Sequence, residues 1–203
     1  LDELLKHPAA DQVSPDGMQQ ILQTTLKQIA QYEKVNTDSE FEEVEYGPEI
    51  GPIWAMFQSK AAQAIRAAGA AQLMSYCIQQ QSPAGLKLVC LLPGTAQLDT
   101  NSCQRLLQQG LQKLAGSRSH SSRSISVVKY LLQLSVVQSI SAEAAARVLL
   151  SGVEQMLQLS LLKLLYDQLP AAQHMSCDDV RLLLLAAVEQ QVMSQWPAIQ
   201  RRC

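Results

Sequence analysis

The chain has 203 residues, of which 47% are hydrophobic, 17% charged and only 4% aromatic, and its formal net charge is −2. That length suits one domain or a tight pair with a substantial core. The apolar share and modest charge exclude a disordered chain, and nine Gly with eight Pro exclude collagen-like or Pro/Gly low-complexity sequence.

Leu, Ala and Gln dominate, while β-branched and aromatic residues are scarce, so an all-β fold is excluded as well. Few aromatics also means few stacking platforms for single-stranded nucleic acid and little lining for a small-molecule pocket.

Leu1–His7 reads as a helix end stopped by Pro8. Ser14-Pro15-Asp16 is a helix start: Ser caps, Pro suits the first position and Asp faces the helix dipole. Met18, Ile21, Leu22, Leu26 and Ile29 follow at helical spacing and predict a helix to about Lys34. Asn36–Pro52 differs in kind. It holds six acidic and no basic residues and closes with Gly47-Pro48 and Gly51-Pro52, so it reads as a loop or tether. Residues 1–50 carry three Lys/Arg and eleven Asp/Glu, a balance of −8; residues 51–203 carry thirteen and seven, a balance of +6. The expected organisation is an N-terminal helical hairpin (1–35), the acidic segment (36–52) and a main helical domain (53–203). The hairpin and main domain are expected to form one unit, excised from a longer protein because the chain starts at Leu1 and ends at Cys203.

Ile53–Gln81 predicts one long helix, with Trp54, Phe57, Ala61, Ile65, Met74 and Ile78 along a face. Its small-residue patch, Ala67–Ala71 around Gly69, predicts a close crossing by another helix. Ala84–Leu92 is a short helix or a strand-like run. Thr100 or Asn101 caps a helix ending at Gly116, and Gly116–Ser124 is a Ser/Arg-rich loop. Ile125–Ser139 is apolar nearly all round, which predicts a central helix. Ser141 with Glu143 starts the next helix, which runs to Pro170 with or without a break near Ser160. Ser176–Asp179 reads as a capping box with Asp in place of Glu, and the last helix stops before Pro197.

The predicted fold is therefore all-α, with about seven or eight helices. Pairs recurring every ~35–45 residues match armadillo or HEAT-like spacing, so an antiparallel helical repeat (an α-solenoid) is favoured over a compact helical bundle. No repeated sequence signature separates the two.

The chemistry is sparse. His7, His120 and His174 neighbour no nucleophile motif, so no enzyme is expected. His174-x-x-Cys177 with Asp178 and Asp179 is the one local ligand cluster, but zinc wants two such pairs and the capping role suffices. No phosphate-binding glycine loop occurs, and no cofactor or metal is expected. Five cysteines, an odd number without close spacing, read as reduced thiols in the cytoplasm or nucleus. The longest charge-free stretch, Ala67–Leu86, carries glutamines and Pro83, so no membrane span is expected.

Two charged features remain. Lys113, Arg118, Arg123 and Lys129 form a basic patch, the basis of an alternative reading as an RNA-binding domain. Arg118 and Arg123 also precede Ser121 and Ser126 by three, a spacing that basophilic kinases accept, hence an expected phosphoprotein. The acidic segment sets Phe41 and Tyr46 among Glu42, Glu43 and other carboxylates, a composition suited to basic apolar grooves. With Trp54, Phe57 and Trp196 these make the candidate partner-binding set. The expected function is a non-catalytic protein-interaction or scaffold domain; the expected partner is a protein or peptide, not a membrane.

Overall fold

Ser14 opens the first helix in the expected way: its hydroxyl accepts from Gly17 N at 3.1 Å, and Pro15 takes the first helical position. A computed structural model describes residues 12–35, 51–116, 122–155, 157 and 159–200 (for 52, 122, 159, 160 and 191–200, the backbone alone). Every element among the described residues is helical. They are α1 (Pro15–Val35), α2 (Gly51–Gln58), α3 (Lys60–Gln63), α4 (Ala67–Gln80), α5 (Pro83–Val89) and α6 (Pro93–Ala96). Next come α7 (Thr100–Gly116), α8 (Ser122–Leu132), α9 (Ser135–Gln138), α10 (Ala142–Glu154), α11 (Leu159–Gln168), a 3-10 turn (Pro170–His174) and α12 (Cys177–Gln200).

One order recurs: a longer helix, a shorter one, then a single turn. The longer helices pack in succession, α1 on α4, α4 on α7, α7 on α10 and α10 on α12. Hydrogen bonds between side chains give the direction. Gln19 Nε2 donates to Gln72 Oε1 at 2.6 Å in the N-terminal halves of α1 and α4, and Lys34 Nζ donates to Gln80 Oε1 at 3.0 Å near both ends. These two helices therefore run parallel. Ser75 Oγ donates to Gln109 Oε1 at 2.9 Å and ties α4 to α7. The shorter helices pack on one another too, α2 on α5 and α5 on α8. One largely aliphatic core runs from Met18 to Ala172, and Phe57 within it is fully buried.

The crossing predicted at the small-residue patch is made by α1. A Cβ on Gly69 would stand 2.7 Å from Gln19 Oε1, the far end of a flexible side chain on α1, so the two helices meet closely at this point. The predicted cap at Ser141 accepts from Ala144 N at 3.2 Å. The box at Ser176 also closes: Asp179 N donates to Ser176 Oγ at 3.1 Å, and Ser176 N donates back to Asp179 Oδ2 at 3.2 Å.

Several boundaries differ from expectation. Ile53–Gln81 is three helices, not one. The Ser59 hydroxyl donates to Met56 O at 2.8 Å and accepts from Ala62 N at 3.3 Å, and Arg66 is extended (φ −79°, ψ 173°). Apolar periodicity runs on across such breaks, which hides them, while a Ser that bonds the backbone locally competes with the helix ladder. α2 begins at Gly51, inside the span assigned to the acidic segment. Ala84–Leu92 is helical at its start, as α5. α7 is capped by Asp99, whose Oδ1 accepts from Ser102 N at 2.6 Å, not by Thr100 or Asn101. α8 starts at Ser122, within the Ser/Arg stretch, and Ile125–Ser139 divides into α8 and α9. α12 passes Pro197 and reaches Gln200. The count among described residues is thus twelve α-helices, because the single turns between longer helices are too short to show a period.

Candidate functional site

α4 ends with Gln81 in the left-handed conformation (φ 55°, ψ 47°). Gln81 N donates to Ile78 O at 3.1 Å and Ser82 N donates to Cys77 O at 3.0 Å, the paired bonds of a Schellman end. Glycine normally fills this position, because a Cβ costs roughly 1 kcal/mol there. Gln81 is the sole non-glycine residue with positive φ among the described residues. It lines a groove of about 540 Å³ between the C-terminal halves of α4 and α7, with Ile78, Gln79, Gln109, Gln112, Lys113 and Gly116. Four primary amides offer both donors and acceptors, and Lys113 supplies the only charge among the described lining residues. The neighbouring Lys34 holds Gln80 from α1. Such a wall is chemically suited to the main chain and carboxylates of a polypeptide.

A second polar feature lies at the end of α1. Glu33 is 3% exposed. Its Oε1 accepts from Ala84 N at 3.0 Å at the start of α5, and its main-chain oxygen accepts from Arg123 Nη1 at 2.8 Å. Its Oε2 is buried without a hydrogen bond of good geometry among the described residues. Burial pushes the Glu33 carboxyl above its ordinary value, against the opposing pull of Ser82, the Ala84 N–H and Arg123. A raised carboxyl costs stability wherever it is ionised, and the cost falls as pH drops through the folded-state value. Glu33→Gln should therefore raise the urea midpoint at pH 7. The advantage over the parent should shrink towards pH 4.5, the ordinary value. A pH-independent difference would show that ionisation of Glu33 does not matter.

Three of the thiols are quiet. Burial pushes Cys77 upward, with Glu33 and Cys90 adding to it, and raises Cys90 and Cys103 to about 11. All three stay protonated, hence weak nucleophiles, at neutral pH. Cys77 and Cys103 are buried, and Cys90 half-buried.

The structure separates the residues singled out above. Phe41, Glu42, Glu43, Tyr46, Arg118 and Ser121 lie outside the described residues, as does the side chain of Trp196. Trp54 is 46% exposed on α2, whereas Phe57, one turn on, is fully buried and belongs to the core. Lys113 and Lys129 are exposed on α7 and α8. Arg123 is half-buried with its guanidinium bonded to Glu33 O, so it serves the fold. Ser126 is half-buried within α8, and His174 is exposed in the 3-10 turn. Among the described residues no group of three His, Cys, Asp or Glu is placed to hold a metal, and no helix is long and apolar enough to cross a membrane.

Sequence reasoning missed the glutamine groove and the Glu33 junction. The run Gln79-Gln80-Gln81 was a signal for the first; nothing local marks the second. Compared with protein-family models, curated proteins and solved structures, the chain has no significant match.

Proposed function

We propose that the chain is a non-catalytic interaction or scaffold domain, built as an armadillo/HEAT-like helical repeat within a larger cytoplasmic or nuclear protein. Its contact surfaces are the α4/α7 groove and the acidic-aromatic segment with Phe41, Glu42, Glu43 and Tyr46. Parallel packing of α1 on α4 supports the repeat reading over an up-and-down bundle, where successive packed helices run antiparallel.

The observation that carries the functional reading is Gln81. A residue kept in a strained conformation, where glycine would be more stable, argues for a role of its side chain, and that side chain lines the groove. Gln81→Gly should therefore raise stability by about 1 kcal/mol and at the same time weaken partner binding. Crosslinked pull-downs from cells, with the parent, Gln81→Gly and Gln109→Ala/Gln112→Ala side by side, test this. Partners captured by the parent should be lost from both variants and should survive nuclease treatment. Equal capture by all three would sink the groove reading.

A further inference from the structure

α12 carries an apolar surface that the other described residues leave open. It packs on α10 through one narrow face, on which Asp179, Leu183, Ala186 and Gln190 are half-buried. Seven successive residues, Leu182–Val188, have no polar side chain. On the side away from α10, Leu184 is 62% exposed, Leu185 50% and Val188 59%. At 3.6 residues per turn these three share that side with Arg181. α4, α7 and α10 each have a longer helix on both flanks, whereas α12 has only α10 among the described residues. A contiguous patch of exposed leucines marks an interface.

We propose that this face is covered by the same face of a second copy of the chain, in an antiparallel, two-fold symmetric pair of α12 helices. The flanking charges select this occupant. Arg181 precedes Leu185 by four residues and Glu189 follows it by four, and both are exposed. When two copies cross antiparallel about Leu185, Arg181 of each comes opposite Glu189 of the other, and the two-fold axis makes the ion pair twice. A parallel pair would set Arg181 against Arg181 and Glu189 against Glu189. The apolar stretch supplies the attraction, and the charges fix direction and register.

Sedimentation velocity on the full chain, over a micromolar concentration series, is the test. The parent should sediment as a particle of twice its 22.3 kDa mass. Leu184→Asp/Leu185→Asp, which alters only exposed positions, should be monomeric with unchanged far-UV circular dichroism. Arg181→Glu should weaken the dimer roughly tenfold, and Arg181→Glu/Glu189→Arg should restore it. The charge series leaves the apolar face intact, so it decides the matter even if the double Asp variant loses helicity. A parent that is monomeric throughout overturns the proposal, as does a dimer that survives the double Asp change. Failure of the charge swap to restore what Arg181→Glu removes overturns the antiparallel pairing.

Discussion

Phe57→Ala should lower folding stability by about 3–5 kcal/mol, the range for emptying a buried aromatic site. The side chain is 0% exposed and ranks among the largest that are fully buried. It sits on α2, which packs on both α1 and α5, so the cavity would open where three elements meet. Interiors are close-packed and relax only partly around a missing ring. At about 2–4 °C per kcal/mol for a chain of this size, the thermal midpoint should fall by roughly 6–20 °C. Trp54→Ala, three residues earlier and half-exposed, should cost less than about 1 kcal/mol. The contrast bears on function. Loss of binding in Phe57→Ala would report unfolding, whereas loss in Trp54→Ala would report a contact. Urea unfolding of both variants decides it, and a Phe57→Ala protein as stable as the parent would refute the core assignment.

Gly94→Ala should cost about 1–3 kcal/mol, although it adds a single methyl group. Its Cβ would lie 2.6 Å from Ile65 O, 2.8 Å from Arg66 C and 2.9 Å from Arg66 O. These are backbone atoms at the entry to α4 and cannot swing aside as a flexible side chain would. No glycine among the described residues has positive φ, so the cost is steric and not conformational. α6 must pass this close because it packs on α4. Gly116→Ala is the control. Nothing lies within 4 Å of its added Cβ, and the change should move stability by less than about 1 kcal/mol. Equal urea midpoints for the two variants would show that the close approach at Gly94 is not needed.

Legibility in the sequence followed the range of the interaction. Ser14, Ser141 and Ser176 were readable as caps because each bonds a residue three positions away. Asp99, Thr100 and Asn101 are all acceptable capping residues, and only geometry selects Asp99 among them. The break at Ser59 was hidden because apolar residues continue in phase on both sides of it. Phe57 and Trp54 look alike in sequence, yet one is core and the other surface. A helical face three residues wide does not say which flank the neighbouring helices cover.

The candidate groove was less legible still. Gln79 and Gln81 are 28 or more residues from Gln109 and Gln112, and only the packing of α4 on α7 brings them together. The Glu33 junction joins residues 51 and 90 positions apart.

By itself, then, the sequence determined an all-helical, aliphatic chain, its principal caps and the split between an acidic front and a basic body. These follow from propensity, composition and bonds that close within a turn. Only the tertiary structure decided which helices run side by side, which aromatic is buried, why Gln81 and Gly94 occupy their positions and which face of α12 stays open. Those depend on the path of the backbone through space, where a methyl group or a carboxylate meets atoms that local spacing does not predict.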